Sequence, residues 1–282
     1  MSDELTVTGQ MQQKLDNLRA ELKKMGSVLI AFSGGVDSTF LLSVAIDTLG
    51  PEKVLAVTGR SVTYPSTELS HAVDLARQLG AQHQIIDTCE LDDPNYTANP
   101  PERCYYCKME LLAKLKQIAR DQGLAHVATA ANADDAGDYR PGLRAGDELG
   151  ISRPLQKVHL TKDDIRALSR QFELSTWNKP SMACLASRFP YGQTLTAESL
   201  ARVEAAEDFL SELGFSPLRL RSHDILARIE VSPTQFEKLL DDQLRSQIIS
   251  RLKALGYTYV TFDLQGFRSG SMNEPLTPEQ TK

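Results

Sequence analysis

The chain is 282 residues long, with 41% hydrophobic, 24% charged and 6% aromatic residues, an ordinary globular balance that excludes a collagenous, low-complexity or largely disordered chain. Lys and Arg number 31 against 37 Asp and Glu, a formal net charge of −6, which argues against the broad basic surface of a nucleic-acid binder. No run approaches the ~18 apolar residues of a membrane span, and the opening MSDELTVTGQMQQK lacks a basic segment followed by an apolar one, so a cytoplasmic protein is expected, with no membrane and no nucleic acid as partner.

Apolar residues at Met11, Leu15, Leu18 and Leu22 keep the three-to-four spacing of an amphipathic helix over 11–25. SVLIAF (27–32) then reads as a strand, its Gly pair as a tight loop, and STFLLSVAIDTLG as a helix. The alternation continues with strand 54–59, helix 66–80, strand 82–87, helix 105–123 and strand 125–130. Short apolar strands separated by helices specify a doubly wound parallel sheet, an α/β domain over 1–180. Ligands of such sheets bind beyond the carboxyl ends of the strands. After a loop over 131–150 and a helix from about Thr161, the pattern changes near residue 180. Helix 196–214, two strands in 217–232, a helix over 232–256 and a last strand at 257–264 predict a smaller α+β domain over 181–282.

Ser33-Gly34-Gly35-Val36-Asp37-Ser38 lies between the first strand and its helix. Two glycines let the backbone approach an anion, Ser33, Ser38 and Thr39 offer hydroxyls, and a helix N-terminus offers N–H donors. The plain alternative is a strand-to-helix turn capped by Ser38 or Asp37. The hexad has neither the Lys of a Walker loop nor the spacing of a dinucleotide fingerprint. It resembles the PP-loop of the ATP pyrophosphatases, which implies ATP and Mg2+, with Asp37 as a magnesium-linked carboxylate. Asn132, Asp134 and Asp135 follow the fourth strand and suit magnesium or ribose, or are solvated loop acids. Arg140 and Arg144 could neutralise a phosphorylated substrate or simply face water.

Of the four cysteines, Cys104 and Cys107 form a C-Y-Y-C before a helix, where a helix N-terminus favours thiolate. Alone, the pair suits a redox dithiol, half a zinc site or part of an iron–sulfur cluster. Cys184 stands in CLASRFPYG with Arg188 and Gly192 beside it, and three converging thiolates could hold three irons of a [4Fe–4S] cluster and leave one open. Cys89 stands apart and reads as structural.

SGGVDS, ANADDAGDYRPG, CLASRFPYG, LRLRSHDILARIE and FDLQGFRSGSMNE follow one another over about residues 15–276. With these motifs the chain resembles the LarE-type ATP-dependent sulfur transferases, which build the nickel-pincer nucleotide cofactor of lactate racemase. The resemblance implies that ATP adenylates a carboxylate of pyridinium-3,5-biscarboxylic acid mononucleotide and that sulfur then displaces AMP to leave a thiocarboxylate. Some members keep only the cysteine matching Cys184, give up its sulfur and end as dehydroalanine. The CxxC departs from that pattern and implies the cluster-dependent branch, in which sulfide on the open iron, recharged by a sulfur donor, is transferred. Catalytic roles then fall to Asp37, Cys104, Cys107 and Cys184. The resemblance puts Ser33, Gly34, Gly35, Asp37, Ser38, Asn132, Asp135 and Arg188 at the nucleotide. Arg219 and Arg221, two residues apart on one strand and so on one face, are expected to grip the substrate's phosphate with Glu207 and Glu230 as acidic partners. The second domain is expected to bind substrate and to assemble a homo-oligomer. A PP-loop tRNA thiolase fits the three cysteines but not the acidic charge, an amidotransferase lacks room for a glutaminase domain, and a zinc or redox-sensing nucleotide-binding regulator remains a non-catalytic alternative.

Overall fold

The computed structural model describes residues 7–137, 140–180, 183–268, 270–274 and 276–277. Their contacts fall into two compact units. One holds the described residues up to Glu90 and from Cys104 to Pro180; the other holds Leu91–Arg103 and the described residues from Ala183 onward.

In the first unit the chain runs α1 (Gly9–Met25), β1 (Val28–Ala31), α2 (Val36–Leu49), β2 (Val54–Arg60), α3 (Ser66–Gln78) and β3 (Gln82–Asp87). It continues through α4 (Arg103–Asp121), whose first residue is counted with the other unit, then β4 (His126–Ala128), α5 (Pro141–Glu148), a turn at Pro154–Lys157 and α6 (Lys162–Gln171). The four strands form one parallel sheet in the order β3-β2-β1-β4. Alternation along the strands sends side chains to opposite faces. Val28 and Ile30 pack with Leu15, Leu18 and Leu22 of α1 and Phe40, Leu41 and Val44 of α2, while Leu29 packs with Leu55, Val57 and Val127 against Leu112, Leu115 and Ala119 of α4. Both faces are covered, as the apolar strands require. From β1 the chain moves outward on one side to β2 and β3 and returns on the other side to β4, so the order reverses between β1 and β4, where an open α/β sheet has its crevice.

The loop expected over 131–150 contains α5, which begins at Pro141, where a missing N–H costs nothing. Helix α6 starts where Thr161 was expected to open it: the Thr161 side chain accepts from Asp164 N–H, and the Asp164 side chain accepts from Thr161 N–H.

The second unit carries α7 (Ala197–Glu212), β5 (Leu218–His223), β6 (Leu226–Val231), α8 (Phe236–Leu240), α9 (Asp242–Ala254) and β7 (Tyr259–Phe262). β5 and β6 are an antiparallel pair and β7 adds parallel to β6. The single helix expected over 232–256 is divided. Asp241 is extended, at φ −62° and ψ 126°, and its carboxylate accepts from Leu244 N–H, so the acid ends α8 and caps α9. Residues 91–103 are stitched into this unit through the buried, left-handed Asn99, whose amide donates to the Pro190 carbonyl at 2.7 Å and whose own carbonyl accepts from Gly192 N–H at 2.9 Å. Among the described residues no helix is long and apolar enough to cross a membrane.

Candidate active site

The hexad leaves β1 at the sheet's reversal and enters α2, which begins at Val36, with Gly35 rather than Ser38 at the cap. Ser38 turns inward instead. Its hydroxyl accepts from Ser33 N–H at 3.3 Å, lies 3.1 Å from the Ser33 hydroxyl and donates to the Gly35 carbonyl at 3.2 Å, closing the loop on itself. Gly34 is left-handed at φ +63°, and a Cβ there would lie 3.0 Å from Ala72 Cα of α3, so only glycine fits. At Gly35 a Cβ would meet nothing nearer than the Ser33 hydroxyl at 3.4 Å. That bare backbone is space an anion can enter.

Asp37 stands in the first turn of α2. Its Oδ2 accepts from Lys162 Nζ at 2.6 Å, while Oδ1 is shut from solvent and has no hydrogen-bond partner among the described residues. A buried carboxylate oxygen left unpaired is costly, and a divalent cation would satisfy it. The donor set therefore fits Mg2+ beside a phosphate loop. Lys162, which no sequence pattern singled out, opens α6 and ties the two loops together, because its backbone N–H donates to Asp134 at 2.7 Å. Asp135, also buried, accepts from Asn132 N–H at 2.9 Å and pairs with Arg140 at 2.8 Å, and Asn132 accepts from Asp134 N–H. The acids after β4 thus brace their own loop and the start of α6. Arg144 lies 4.2 Å over the Tyr105 ring.

The far side of the phosphate loop rests on α3 and its lead-in. The Tyr64 hydroxyl donates to the Ser33 carbonyl at 2.6 Å, and Lys179 donates to the Gly34 carbonyl at 3.2 Å. Burial, with help from the nearby Glu68 carboxylate, pushes the Tyr64 phenol well above its ordinary pKa, so it remains a donor. Neither residue was legible as part of the site.

Cys104 and Cys107 sit in the first turn of α4, Cys104 exposed and Cys107 partly so. The Cys107 thiol donates to Glu90 at 3.5 Å, and that buried carboxylate also accepts from Ser61 at 2.8 Å. Cys89 is exposed and its N–H donates to Glu110. Two thiols three residues apart suit two soft ligands of a metal centre. Cys184 belongs to the second unit, and among the described residues no three His, Cys, Asp or Glu side chains are grouped to hold a metal.

Within the second unit, Arg188, expected at the nucleotide, and three of the four residues expected at the substrate's phosphate, Glu207, Arg221 and Glu230, are engaged in two buried ion pairs. Arg188, fully buried, pairs with both oxygens of Glu207 at 3.0 and 2.7 Å and donates to the carbonyls of Ala183 and Cys184 at 2.7 and 3.0 Å. Glu207 also accepts from Leu220 N–H at 2.8 Å. Arg188 therefore anchors the Cys184 backbone to α7 and β5. Arg221 pairs with the fully buried Glu230 at 2.8 Å and donates to the Ser187 carbonyl and the Ser271 hydroxyl. Arg228 reaches the same Glu230 at 3.2 Å. Arg219 differs. It lies over the Phe267 ring and donates to the Leu218 carbonyl, and burial, with Arg188 close by, pushes its pKa down to about 10. A guanidinium whose charge the fold disfavours is relieved by an incoming anion.

Comparison with known proteins agrees with this geometry. The NAD synthase family model matches residues 10–114. An uncharacterized protein of Synechocystis is 41% identical over 267 residues, covering 95% of this chain and 99% of the relative. An uncharacterized protein of Methanocaldococcus jannaschii is 28% identical over 256 residues, 91% of this chain and 96% of that one. The pyridinium-3,5-bisthiocarboxylic acid mononucleotide synthase of Lactiplantibacillus plantarum is 41% identical over 267 residues, 95% of this chain and 96% of the relative. Identity at that level along nearly the whole of both chains, on a parallel sheet that carries a PP-loop at its reversal, makes this chain a member of the LarE family of ATP-using sulfur transferases.

Proposed function

We propose that the protein inserts sulfur into pyridinium-3,5-biscarboxylic acid mononucleotide in nickel-pincer nucleotide synthesis. A substrate carboxylate oxygen bonds to the α-phosphorus of ATP as the α–β bridging P–O bond breaks, and pyrophosphate leaves with that electron pair. Sulfide sulfur then adds to the acyl carbon, the acyl–oxygen bond breaks, and AMP departs to leave a thiocarboxylate. The observation that carries this reading is the phosphate loop at the sheet's reversal with the unpaired Asp37 oxygen. Ser33, Gly34, Gly35 and Ser38 would cradle phosphates, and Asp37, with its unpaired Oδ1, would hold Mg2+ beside them, with Lys162 as a neighbouring positive charge. Asn132 and Asp135 shape the nucleotide's other edge. Arg219 meets the substrate's phosphate, and the pairs Arg188–Glu207 and Arg221–Glu230 hold Cys184 and β5 in place around it.

For the sulfur, we infer that Cys104, Cys107 and Cys184 are ligands of a [4Fe–4S] cluster, supported by an exposed and a partly exposed thiol three residues apart in the first turn of α4. Such a cluster would supply soft iron chemistry suited to carrying sulfide. The test is pyrophosphate release from ATP, expected only when the pyridinium mononucleotide is present and lost in Asp37→Ala. Release independent of that substrate sinks the proposed reaction. Protein reconstituted anaerobically should carry close to four irons and four sulfides, lost in any single Cys→Ala change at the three positions but kept in Cys89→Ala. Conversion of Cys184 to dehydroalanine after one turnover, with activity kept in Cys104→Ala and Cys107→Ala, would replace the cluster by the sacrificial route.

A further inference from the structure

Successive peptide groups of the phosphate loop are anchored by side chains from outside it. The Ser33 carbonyl accepts from the Tyr64 hydroxyl at 2.6 Å, and the Gly34 carbonyl accepts from Lys179 Nζ at 3.2 Å. In a trans peptide the C=O and the following N–H are fixed in one plane and point opposite ways. Holding the Ser33 carbonyl therefore fixes the Gly34 N–H, and holding the Gly34 carbonyl fixes the Gly35 N–H, both turned away from their anchors. Glycine peptides left alone rotate readily between orientations, so these two are the loop groups that most need an anchor.

Lys179 is itself held. Its ammonium also contacts Glu68 Oε2 at 2.7 Å and His71 Nδ1 at 2.6 Å, so its three N–H donors meet three protein acceptors. The side chains of Lys179 and Glu68 are 14% and 15% exposed. With its donors engaged and its charge balanced by Glu68, Lys179 acts on the loop rather than as a free phosphate ligand. Glu68, His71 and Ala72 all lie on α3, the helix on which Gly34 rests.

We propose that Tyr64 and Lys179 are positioning residues that preset the phosphate loop, turning the Gly34 and Gly35 amides toward the pyrophosphate moiety of the nucleotide before it arrives. This deepens the proposed function and rests on the loop being a phosphate site. Pre-aimed amides favour the anion and do nothing for the base and ribose. The test is calorimetric titration of the full chain with magnesium pyrophosphate and, separately, with adenosine, for wild type, Tyr64→Phe, Lys179→Met and Lys179→Arg. Tyr64→Phe and Lys179→Met are expected to weaken pyrophosphate about tenfold each, the size of one hydrogen bond, to raise the KM for ATP without raising that for the pyridinium substrate, and to leave adenosine binding unchanged. Lys179→Arg, which keeps a charged donor, should recover most of the loss. Tyr64→Phe removes a single hydroxyl and keeps the test valid where Lys179→Met fails to fold. Unchanged pyrophosphate affinity in both variants overturns the proposal, and so does an equal loss of adenosine and pyrophosphate, the mark of a merely structural role. A wild-type protein that binds no pyrophosphate removes the phosphate-site reading itself, and the positioning roles with it.

Discussion

Two neighbouring glycines carry different constraints, and substitution separates them. At Gly34 an alanine meets both a left-handed backbone and Ala72 Cα at 3.0 Å. The left-handed conformation costs a non-glycine residue about 1–2 kcal/mol before any crowding, so Gly34→Ala should lower thermal stability measurably. At Gly35, φ is −82° and the neighbourhood is open, so Gly35→Val should keep the fold while abolishing substrate-dependent pyrophosphate release. A stable Gly34→Ala protein together with an active Gly35→Val protein would contradict both assignments. Lys162→Met tests the partner of Asp37. Their side chains are 30% and 24% exposed, so the ion pair contributes about 1 kcal/mol or less to folding, and the expected effect is a raised KM for ATP at nearly unchanged stability. An unaltered KM would show that Lys162 only props the loop. The glycines were legible because SGGVDS is a local pattern. Lys162 and Lys179 were not, because they meet the loop across 125 and 145 residues of sequence, and a lysine in a polar stretch reads as solvated surface.

At the scale of elements, short runs between helical periodicities and turn residues located the four strands described in the first sheet and the three in the second, even where a strand is as polar as β3, QHQIID. The pattern failed where one polar residue decided the outcome, as at Asp241, whose cap divides a continuous apolar periodicity into α8 and α9. Strand β5 shows the same limit in its chemistry. Alternation correctly placed Arg219 and Arg221 two residues apart, but it could not show that Arg221 faces Glu230 in a pair exposed by only 5% and 0%. Removing one member of such a pair costs up to about 3–5 kcal/mol where the other charge is left uncompensated; Glu230 would keep Arg228 at 3.2 Å, so the loss of Arg221 should fall toward the lower end. Arg221→Ala is therefore expected to lower the melting temperature sharply. Arg219→Ala removes a charge that burial disfavours, so it should cost less stability than Arg221→Ala and raise the requirement for the pyridinium mononucleotide. Matching losses of stability in the two variants would reject this division of labour between neighbouring positions of one strand.

For the whole molecule, two compact units, each with its own sheet, imply that a ligand bound by one unit stabilises that unit. A ligand bound only by the folded form adds RT ln(1 + [L]/Kd), about 2.7 kcal/mol at a hundredfold excess over Kd, and local opening lets that gain be read segment by segment through amide hydrogen exchange. If MgATP binds as proposed, at the reversal between β1 and β4, it should slow exchange in β1, β4 and the first turn of α2, where Asp37 stands. The pyridinium mononucleotide, on the proposal that Arg219 holds it, should slow exchange in β5 and β6, which pair from Leu218 opposite Val231 to His223 opposite Leu226. Asp37→Ala should erase the first pattern and keep the second, and Arg219→Ala should do the reverse. If MgATP instead protects β5 and β6 in the Asp37→Ala protein, the nucleotide is held by the second unit, and the assignment of ATP to the phosphate loop fails.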